Sequence, residues 1–274
     1  MNPVSDAASA AEHAIIKDPN GGIRLNVIVC IKRVPDTEAR IRVDASGSSI
    51  DKSGIKYDIS PYDAFAVEAA IRLKEESQGQ GDVSVLTLGD ASSGETLRKA
   101  LAMGADRAVL LTGEVSLDGL ATAKALVSEL EASEADLFLF GIKAADDDQQ
   151  QVGQMVGALL DRPCVSGVSS FEVYGRMARC RREVEGGSET VEVDLPAVLC
   201  ITKGPNEPRL PALKGIMAAK KKPLEERPAM ISKSRLRLVG LFTPPVRAEG
   251  KIVGEGPDAV PELVRILRED AHAI

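Results

Sequence analysis

The chain has 274 residues, a formal net charge of −7 at pH 7, 44% hydrophobic residues and 3% aromatic residues. A negative net charge without a long basic stretch argues against a nucleic-acid-binding protein. No apolar run approaches the roughly 20 residues that a helix needs to span a bilayer, and the length suffices for one large domain or two modest ones.

The first part of the chain is predicted to be a tail followed by a strand. Residues 1–23 are small and polar and have neither a secretory nor a transit signature, so we interpret them as a mobile tail and expect a cytoplasmic protein. Residues 25–31 are rich in Val and Ile, which predicts a buried strand. Residues 32–37 follow as a loop because Pro35 disfavours a helix before it, and residues 38–59 predict a short β excursion.

The segment Ser60-Pro61-Tyr62-Asp63 has the composition of a helix start. Ser60 is a suitable N-cap, Pro61 fits the first helical position, and Asp63 places an acid in the first turn. Apolar residues then recur at helical spacing at Phe65, Ala66, Ala69, Ala70 and Leu73. This pattern predicts an amphipathic helix that packs on a sheet.

Strands and helices continue to alternate after this helix. A buried strand is predicted at residues 83–88, and Ser92 with Glu95 forms a capping-box pattern that opens the next helix. A strand at residues 108–111 and a helix at residues 117–130 follow. This alternation predicts an α/β fold in which helices wrap a parallel sheet through right-handed crossovers.

The strongest functional signal is an acidic loop, residues 141–152, between a buried strand and a helix that begins near Val152. It contains three consecutive acids, Asp146, Asp147 and Asp148. In an open parallel sheet, ligands bind at the carboxyl ends of the strands, and a helix start there offers N–H groups that suit a phosphate. Three carboxylates repel a phosphate unless they cap N–H groups, bind ribose hydroxyls or hold a cation. The alternative is a capped helix start with solvated acids.

The alternation ends after residue 163. Extended segments are predicted at residues 165–173, 176–184 and 190–193, with a turn at 185–187. One more buried strand is predicted at residues 196–202. The chain is then predicted to end in an extended arm, residues 230–244, and a final helix at residues 259–270.

Residues 203–222, the docking loop, contain three prolines and two glycines and are predicted to be a rigid, exposed loop. The loop ends in a short helix whose last turn is cationic, which the helix dipole favours. Its apolar residues are Leu210, Leu213, Ile216 and Met217. These make it a candidate protein-docking site; the alternative is that they fold back into the core and that the lysines form a solvated face.

The sequence lacks the motifs of a self-sufficient catalyst. It has no phosphate-binding P-loop, no Gly-x-Ser-x-Gly elbow and no residue cluster with the spacing of a metal site. Both histidines, His13 and His272, lie in terminal segments, so a histidine base or metal ligand in the core is not expected. The cysteines lie far apart and are predicted to be reduced thiols, largely buried: Cys30, Cys164, Cys180 and Cys200.

Several stretches in combination resemble the beta subunit of electron-transfer flavoprotein, from about residue 24 to the C-terminus. They are residues 32–36, 66–68, 72–75, 100–107, 143–155, 195–198, 206–209 and 216–222. The resemblance implies a Rossmann-like three-layer α/β domain of the adenine-nucleotide alpha-hydrolase-like type with a C-terminal arm. Residues 24–223 would form the nucleotide-binding domain with its docking loop, and residues 224–274 would form an arm and helix that pack on an alpha subunit.

The resemblance also implies an electron carrier and not an enzyme. The chain would form a heterodimer with the alpha subunit, bury an AMP with a structural role, and share one FAD that is bound mostly by alpha. Electrons would come from acyl-CoA or related dehydrogenases, as in fatty acid β-oxidation, and pass to a quinone oxidoreductase or another acceptor.

The positions that match the AMP contacts of the family lie at strand ends and helix starts. They are Cys30, Ser60, Pro61, Tyr62, Asp63, Leu88, Gly141, Ile142, Lys143, Ala144, Ala145, Asp146, Asp147, Asp148, Gln149, Gln150, Gln151 and Val152. Ser60 and Gln150 stand where asparagine is usual in the family. Both side chains can still form hydrogen bonds, so the contacts would be shifted and not lost.

Other positions match family contacts outside the AMP site. Thr37 and Tyr62 would lie near the FAD. Leu213 matches the leucine that inserts into an apolar pocket of a client dehydrogenase, and Glu183 matches a glutamate that pairs with an arginine of alpha.

Other functions stay open from the sequence. Electron-bifurcating relatives carry a second FAD in place of AMP and use NADH as the donor; residues 34–37 resemble that branch, whereas residues 149–151 and 220–222 resemble the AMP branch, which we favour. An adenylyl-transferring or hydrolysing enzyme on the same fold would need a pyrophosphate loop that the sequence lacks. A stress-type nucleotide sensor would bind ATP as a homodimer.

Overall fold

In a computed structural model of the protein, residues 24–114, 118–246 and 249–274 are described. They divide into two compact units, one with residues 24–41 and 52–239 and the other with residues 42–51 and 240–274. The predicted tail, residues 1–23, and the predicted helix start at Leu117 lie outside the described residues.

The described elements alternate along the chain as the sequence predicts. The strands are β1 (Val27–Cys30), β2 (Arg33–Pro35), β3 (Tyr57–Ile59), β4 (Val83–Gly89), β5 (Arg107–Thr112), β6 (Leu137–Gly141), β7 (Cys164–Tyr174), β8 (Met177–Val184), β9 (Gly187–Asp194), β10 (Ala197–Ile201) and β11 (Leu224–Pro228). The helices are α1 (Pro61–Glu76), α2 (Ser93–Met103), α3 (Gly119–Leu130), α4 (Val152–Leu159), α5 (Leu213–Ala219) and α6 (Val260–Arg265). Within the described residues, no helix is both long enough and apolar enough to cross a membrane.

Nine strands of the larger unit form one sheet with the order β11-β5-β4-β1-β6-β10-β7-β8-β9. Neighbouring strands from β11 to β7 are parallel, whereas β8 and β9 pair antiparallel at one edge. The predicted parallel-sheet α/β fold is therefore confirmed, with a mixed sheet because the extended segments after residue 163 add antiparallel strands.

Two apolar clusters cover the two faces of this sheet and give it three layers. Val27 and Val29 of β1 point to the face that carries α1 and α2, represented in that cluster by Ala66 and Leu101. Cys30 and Phe138 belong to the opposite cluster, which includes residues of α3 and α4. The central strands are apolar on both sides because both sides are covered.

Several local predictions need correction. Residues 33–35, predicted as part of a loop, form strand β2, which pairs antiparallel with β3. The capping box of α2 does not form, because the hydroxyl of Ser92 donates to the carboxylate of Asp90 instead. The three consecutive lysines at residues 220–222 follow the short helix and are not its last turn, because α5 ends at Ala219.

The smaller unit contains a bridge between Val43 and Ile50, and Gly47 accepts a hydrogen bond of 2.8 Å from the N–H of Leu241. The predicted final helix is present as α6 between a 3₁₀ turn, Pro257–Ala259, and a π-helical turn, Ile266–Asp270. The first residues of the predicted C-terminal region, residues 224–228, belong to the larger unit as strand β11.

Candidate functional site

A cleft opens where the winding of the sheet reverses. From β1 the chain crosses through α1 and α2 to β4 and β5, and then returns through α3 on the other face to β6, on the opposite side of β1. Such a switch point leaves a crevice at the carboxyl ends of the two central strands. The crevice between β1 and β6 has a cavity volume of about 110 Å³.

Most of the acidic loop lines this cleft, together with the ends of three strands. Of the predicted contacts, the structure brings together Cys30, Asp63, Leu88, Gly141, Ile142, Lys143, Ala144, Asp147, Gln149, Gln150, Gln151 and Val152. It adds residues that the sequence did not single out: Ile31, Lys32, Gly119, Thr122, Leu126, Phe140 and Gly153. Gly119 and Thr122 come from the start of α3, whose place beside the cleft depends on the strand order.

Other predicted contacts do not line the cleft. They are Ser60, Pro61, Tyr62, Ala145, Asp146 and Asp148. Ser60 holds the N-cap position of α1 but does not cap it with its side chain; its buried hydroxyl accepts a hydrogen bond of 3.3 Å from the N–H of Ala145. Ser60 therefore fixes the acidic loop to the start of α1 from a position outside the cleft lining.

Asp63 joins three elements at the base of the cleft. Its carboxylate accepts hydrogen bonds from the N–H groups of Lys32, at 2.7 Å, and Gly141, at 2.9 Å. The acid predicted for the first turn of α1 thus ties the ends of β1 and β6 together. Burial raises the pKa of Asp63 to about 7. The two N–H donors and the ammonium group of Lys32 favour the charged form and lower the pKa, but burial outweighs them.

Two lysines neutralise much of the charge on the acidic loop. The ammonium group of Lys32 contacts Asp146 and Asp147 at 2.8 Å each, and Lys143 contacts Asp148 at 2.6 Å. Burial disfavours the charge on Lys32, but its hydrogen bonds to the two carboxylates outweigh this effect and raise its pKa. All three acids are thus paired with a cation, and Asp148 also remains 59% exposed to solvent.

The start of α4 is the part of the cleft that suits an anion. Gln151 occupies the N-cap position but makes no side-chain cap, whereas α3 is capped by Asp118, which accepts from Leu120 and Ala121. A β-carbon at Gly153 would lie 2.5 Å from the sulfur of Cys200, so glycine lets α4 approach the sheet at this point. An uncapped helix start of this kind offers N–H groups and a positive dipole end to a phosphate.

The acidic loop contains backbone strain next to the helix start. Asp148 and Gln150 have φ values of +50° and +52°, in the left-handed region. This conformation is costly for a residue with a side chain, and glutamine tolerates it less well than asparagine or glycine. Strain of this kind is concentrated at ligand sites.

The predicted partner contacts lie away from the cleft. Leu213 begins α5, with 77% of its surface exposed, and Leu210 and Met217 are exposed as well. The alternative that these residues fold back into the core is therefore wrong. Glu183 is an exposed residue of β8, and Thr37 is exposed in the segment after β2.

No metal site is evident in the described part of the chain, where no group of three or more His, Cys, Asp and Glu side chains is placed to hold an ion. Of the cysteines, all described as free thiols, Cys30, Cys180 and Cys200 are buried and Cys164 is exposed. The site thus consists of a mainly apolar cleft with paired charges and one helix start that no side chain caps.

Comparisons with known proteins show the family of the chain. The family model described as "Electron transfer flavoprotein domain" matches residues 48–231. The chain is 38% identical over 236 residues to the electron transfer flavoprotein subunit beta of Syntrophomonas wolfei, covering 86% of this chain and 92% of that protein. It is 37% identical over 261 residues to the subunit beta of Bacillus subtilis (91% and 100% covered) and 36% identical over 252 residues to that of Homo sapiens (89% and 98%).

Proposed function

Because the chain belongs to the electron transfer flavoprotein family, as a beta subunit, we propose that it holds AMP in the β1–β6 cleft as the structural ligand of a heterodimeric electron carrier. The alpha subunit would bind most of a shared FAD, which supplies the redox chemistry of the pair. This chain would stabilise the pair, complete the flavin site and dock donor proteins, in the cytoplasm.

The observation that carries the AMP proposal is the uncapped start of α4 in a cleft whose acids are already paired. The N–H groups around Val152 and Gly153 would bind the phosphate, since no side chain caps this helix. Leu88, Leu126 and Phe140 give the cleft an apolar part that suits the adenine ring.

The FAD proposal fits the exposure of two residues. Thr37 is exposed and Tyr62 is half-buried, with the ammonium group of Lys143 5.9 Å from its ring centre. Both side chains are accessible to a flavin that another subunit carries. Their role would be to orient the flavin and to exclude water from one side of it.

The alpha-subunit proposal is supported by apolar surface on the C-terminal part of the chain. Met230, Leu236 and Val239 of the larger unit are 75%, 61% and 88% exposed, and Phe242 and Val246 of the smaller unit are 87% and 98% exposed. Exposed apolar residues in this number are typical of surfaces that a partner covers. Glu183, exposed on β8, would pair with an arginine of alpha.

The donor-docking proposal rests on Leu213 and its neighbours. This leucine stands out from a short helix on a proline-rich loop, where an apolar pocket of an acyl-CoA dehydrogenase or a related donor could enclose it. Electrons would leave the carrier for a quinone oxidoreductase or another acceptor.

Identification of the bound nucleotides by mass tests this proposal. The chain is produced with its alpha subunit, and the nucleotides released from the purified pair are quantified. We expect one FAD and one AMP per heterodimer. Two flavins without AMP would replace the proposal with an electron-bifurcating carrier that takes NADH as donor.

The isolated chain serves as the control for the other function classes. Purified without alpha, it should retain AMP and no flavin, and it should not turn over ATP. ATP turnover by the isolated chain would favour an adenylyl-group enzyme, and an ATP-bound homodimer would favour a nucleotide sensor.

A further inference from the structure

Arg209 connects the first half of the docking loop to helix α1. Its guanidinium group contacts both carboxylate oxygens of Glu68, at 2.7 and 3.0 Å, and both of Glu75, at 2.6 and 3.0 Å. Its backbone N–H also donates to Glu68 at 3.1 Å. Five hydrogen bonds from one residue thus hold the loop against two helix positions that lie about two turns apart.

The pairing with Glu68 is the stronger part of this connection. The Glu68 side chain is 1% exposed, whereas that of Glu75 is 57% exposed. Burial opposes the charge on Glu68, but hydrogen bonds from Arg209, with a further one from Arg72, outweigh this effect and hold its pKa below the ordinary value. A buried carboxylate with a two-pronged guanidinium partner resists separation, because separation leaves the interior charge of Glu68 with Arg72 as its one remaining cationic contact among the described residues.

The other end of the docking loop is held against helix α2. Arg98 donates to the carbonyl oxygens of Ala219, at 2.6 Å, and Lys222, at 2.7 Å. In return, the ammonium group of Lys222 donates to the carbonyl oxygens of Leu101, at 3.0 Å, and Ala105, at 2.5 Å. Lys222 therefore satisfies carbonyl groups at the end of α2, and the loop is fixed at both ends.

The contact between α5 and α2 is close enough to require a glycine. A β-carbon at Gly215 would collide with the carbonyl oxygen of Ala102. Helix α5 consequently lies directly on α2, with its apolar residues Leu213 and Met217 turned outward and exposed.

We infer that Arg209 is a positioning residue, which holds the docking loop in its docking conformation before a donor arrives. This inference rests on the proposed docking function of Leu213. Binding is weakened when a loop must be ordered during association, because the lost conformational freedom offsets part of the contact energy. Because of the ion pairs of Arg209, the loop is already ordered when the subunit folds. The donor therefore binds a surface that does not have to be ordered during association.

Hydrogen exchange in the intact alpha–beta pair tests the structural half of the inference. Arg209→Gln should speed the exchange of amides in residues 203–213 by at least about tenfold, since local opening then lacks its main restraint. Arg72→Gln is the matched control: Arg72 contacts the same carboxylate, at 2.7 Å, but lies on α1 itself. It should leave exchange in the loop unchanged, and equal exchange in Arg209→Gln and wild type would overturn the inference.

Kinetics tests the functional half. With an acyl-CoA dehydrogenase and its acyl-CoA substrate as the electron source, Arg209→Gln should raise the KM for the dehydrogenase by about tenfold, with kcat and flavin content nearly unchanged. A fall in kcat without a change in KM would contradict a positioning role.

Two further variants separate the possible failures. If Arg209→Gln does not fold, Glu75→Gln removes only the exposed half of the pairing and should raise loop exchange and KM in the same direction by a smaller factor. If the loop loosens in Arg209→Gln but neither this variant nor Leu213→Ala changes KM, the docking function itself fails, and the role assigned to Arg209 falls with it.

Discussion

Asp63 accepts a hydrogen bond of 2.9 Å from the N–H of Gly141, and the two residues are so close that a β-carbon on Gly141 would collide with the same carboxylate oxygen. They are 78 positions apart in the sequence. The contact fixes the end of β6, where the acidic loop begins, to the first turn of α1. The base of the cleft is thus formed by one carboxylate and one glycine that only the fold brings together.

The carboxyl group of Asp63 should make the stability of the protein depend on pH. Its pKa is about 7 in the folded chain and near 3.8 when it is unfolded, so between these values the folded state holds a proton that the unfolded state releases. The contribution of Asp63 to the free energy of unfolding is therefore fully present below about pH 4. It is lost as the pH rises to about 7, and the loss amounts to up to about 4 kcal/mol.

Chemical unfolding of the alpha–beta pair at several pH values between 5 and 8, in wild type and Asp63→Asn, measures this effect. Other carboxylates contribute to both proteins, so the difference between the two curves isolates Asp63. The asparagine variant should lose less stability than wild type between pH 5 and 7. Parallel curves would show that Asp63 does not titrate in this range.

Lys32 should be required for nucleotide binding. Without its ammonium group, Asp147 in the cleft lining and its neighbour Asp146 lose their cationic partner, and their charges repel the phosphate that the start of α4 is proposed to bind. Lys32→Gln should weaken retention of AMP by about tenfold or more, since each tenfold change corresponds to only 1.4 kcal/mol.

Retention is measured as the AMP that stays with the purified pair after extended dialysis. Lys99→Gln is the control, because Lys99 forms an ion pair with Asp58 outside the cleft. It should retain AMP like wild type. Full AMP occupancy in Lys32→Gln would remove the role of this lysine.

Much of the fold could be predicted because it follows from local patterns. The apolar runs at residues 83–88 and 137–140 mark strands, and Pro61 marks a helix start, whatever surrounds them. Carboxyl ends of parallel strands lie on one edge of the sheet, so the acidic loop after β6 could be assigned to the ligand edge from its order in the chain alone.

The contacts within the site could not be predicted in this way. Lys32 and Asp146 are 114 residues apart, and their pairing depends on β1 and β6 being neighbours in the sheet. The hydroxyl of Ser92 was assigned to a cap, but Asp90, two residues away, accepts it instead. A local sequence pattern does not determine which of several possible hydrogen-bond or ion-pair partners a side chain takes. This holds whether the partner is near or distant in sequence.

Gln150 should be a position where substitution stabilises the protein. Its φ of +52° is better tolerated by asparagine or by glycine. Gln150→Asn and Gln150→Gly should each raise the stability of the pair by about 0.5–1 kcal/mol, because less strain is stored in the acidic loop. Gln150→Asn, which keeps an amide for the proposed AMP contact, should also slow the loss of AMP.

A matched position separates strain from ligand effects. Gln78 also has a positive φ, +57°, but it follows α1 and does not line the cleft. Gln78→Gly should raise the unfolding temperature without changing AMP retention. If Gln150→Asn retains AMP no better than Gln78→Gly does, the strain in the acidic loop is unrelated to the nucleotide.

Leu213 should affect the rate of reaction with the donor and not the stability or the flavin content of the pair. The side chain is 77% exposed, so Leu213→Ala removes little packing and should leave the unfolding temperature and flavin content unchanged. An apolar anchor buried at the centre of an interface contributes about 2 kcal/mol or more, so the second-order rate of flavin reduction by the dehydrogenase should fall by about thirtyfold. Stopped-flow absorbance of the flavin measures this rate.

Leu159→Ala, at the end of α4 with 41% exposure, provides an apolar truncation outside the docking loop and should react like wild type. Equal rates for Leu213→Ala and Leu159→Ala would mean that donors meet the carrier through another surface.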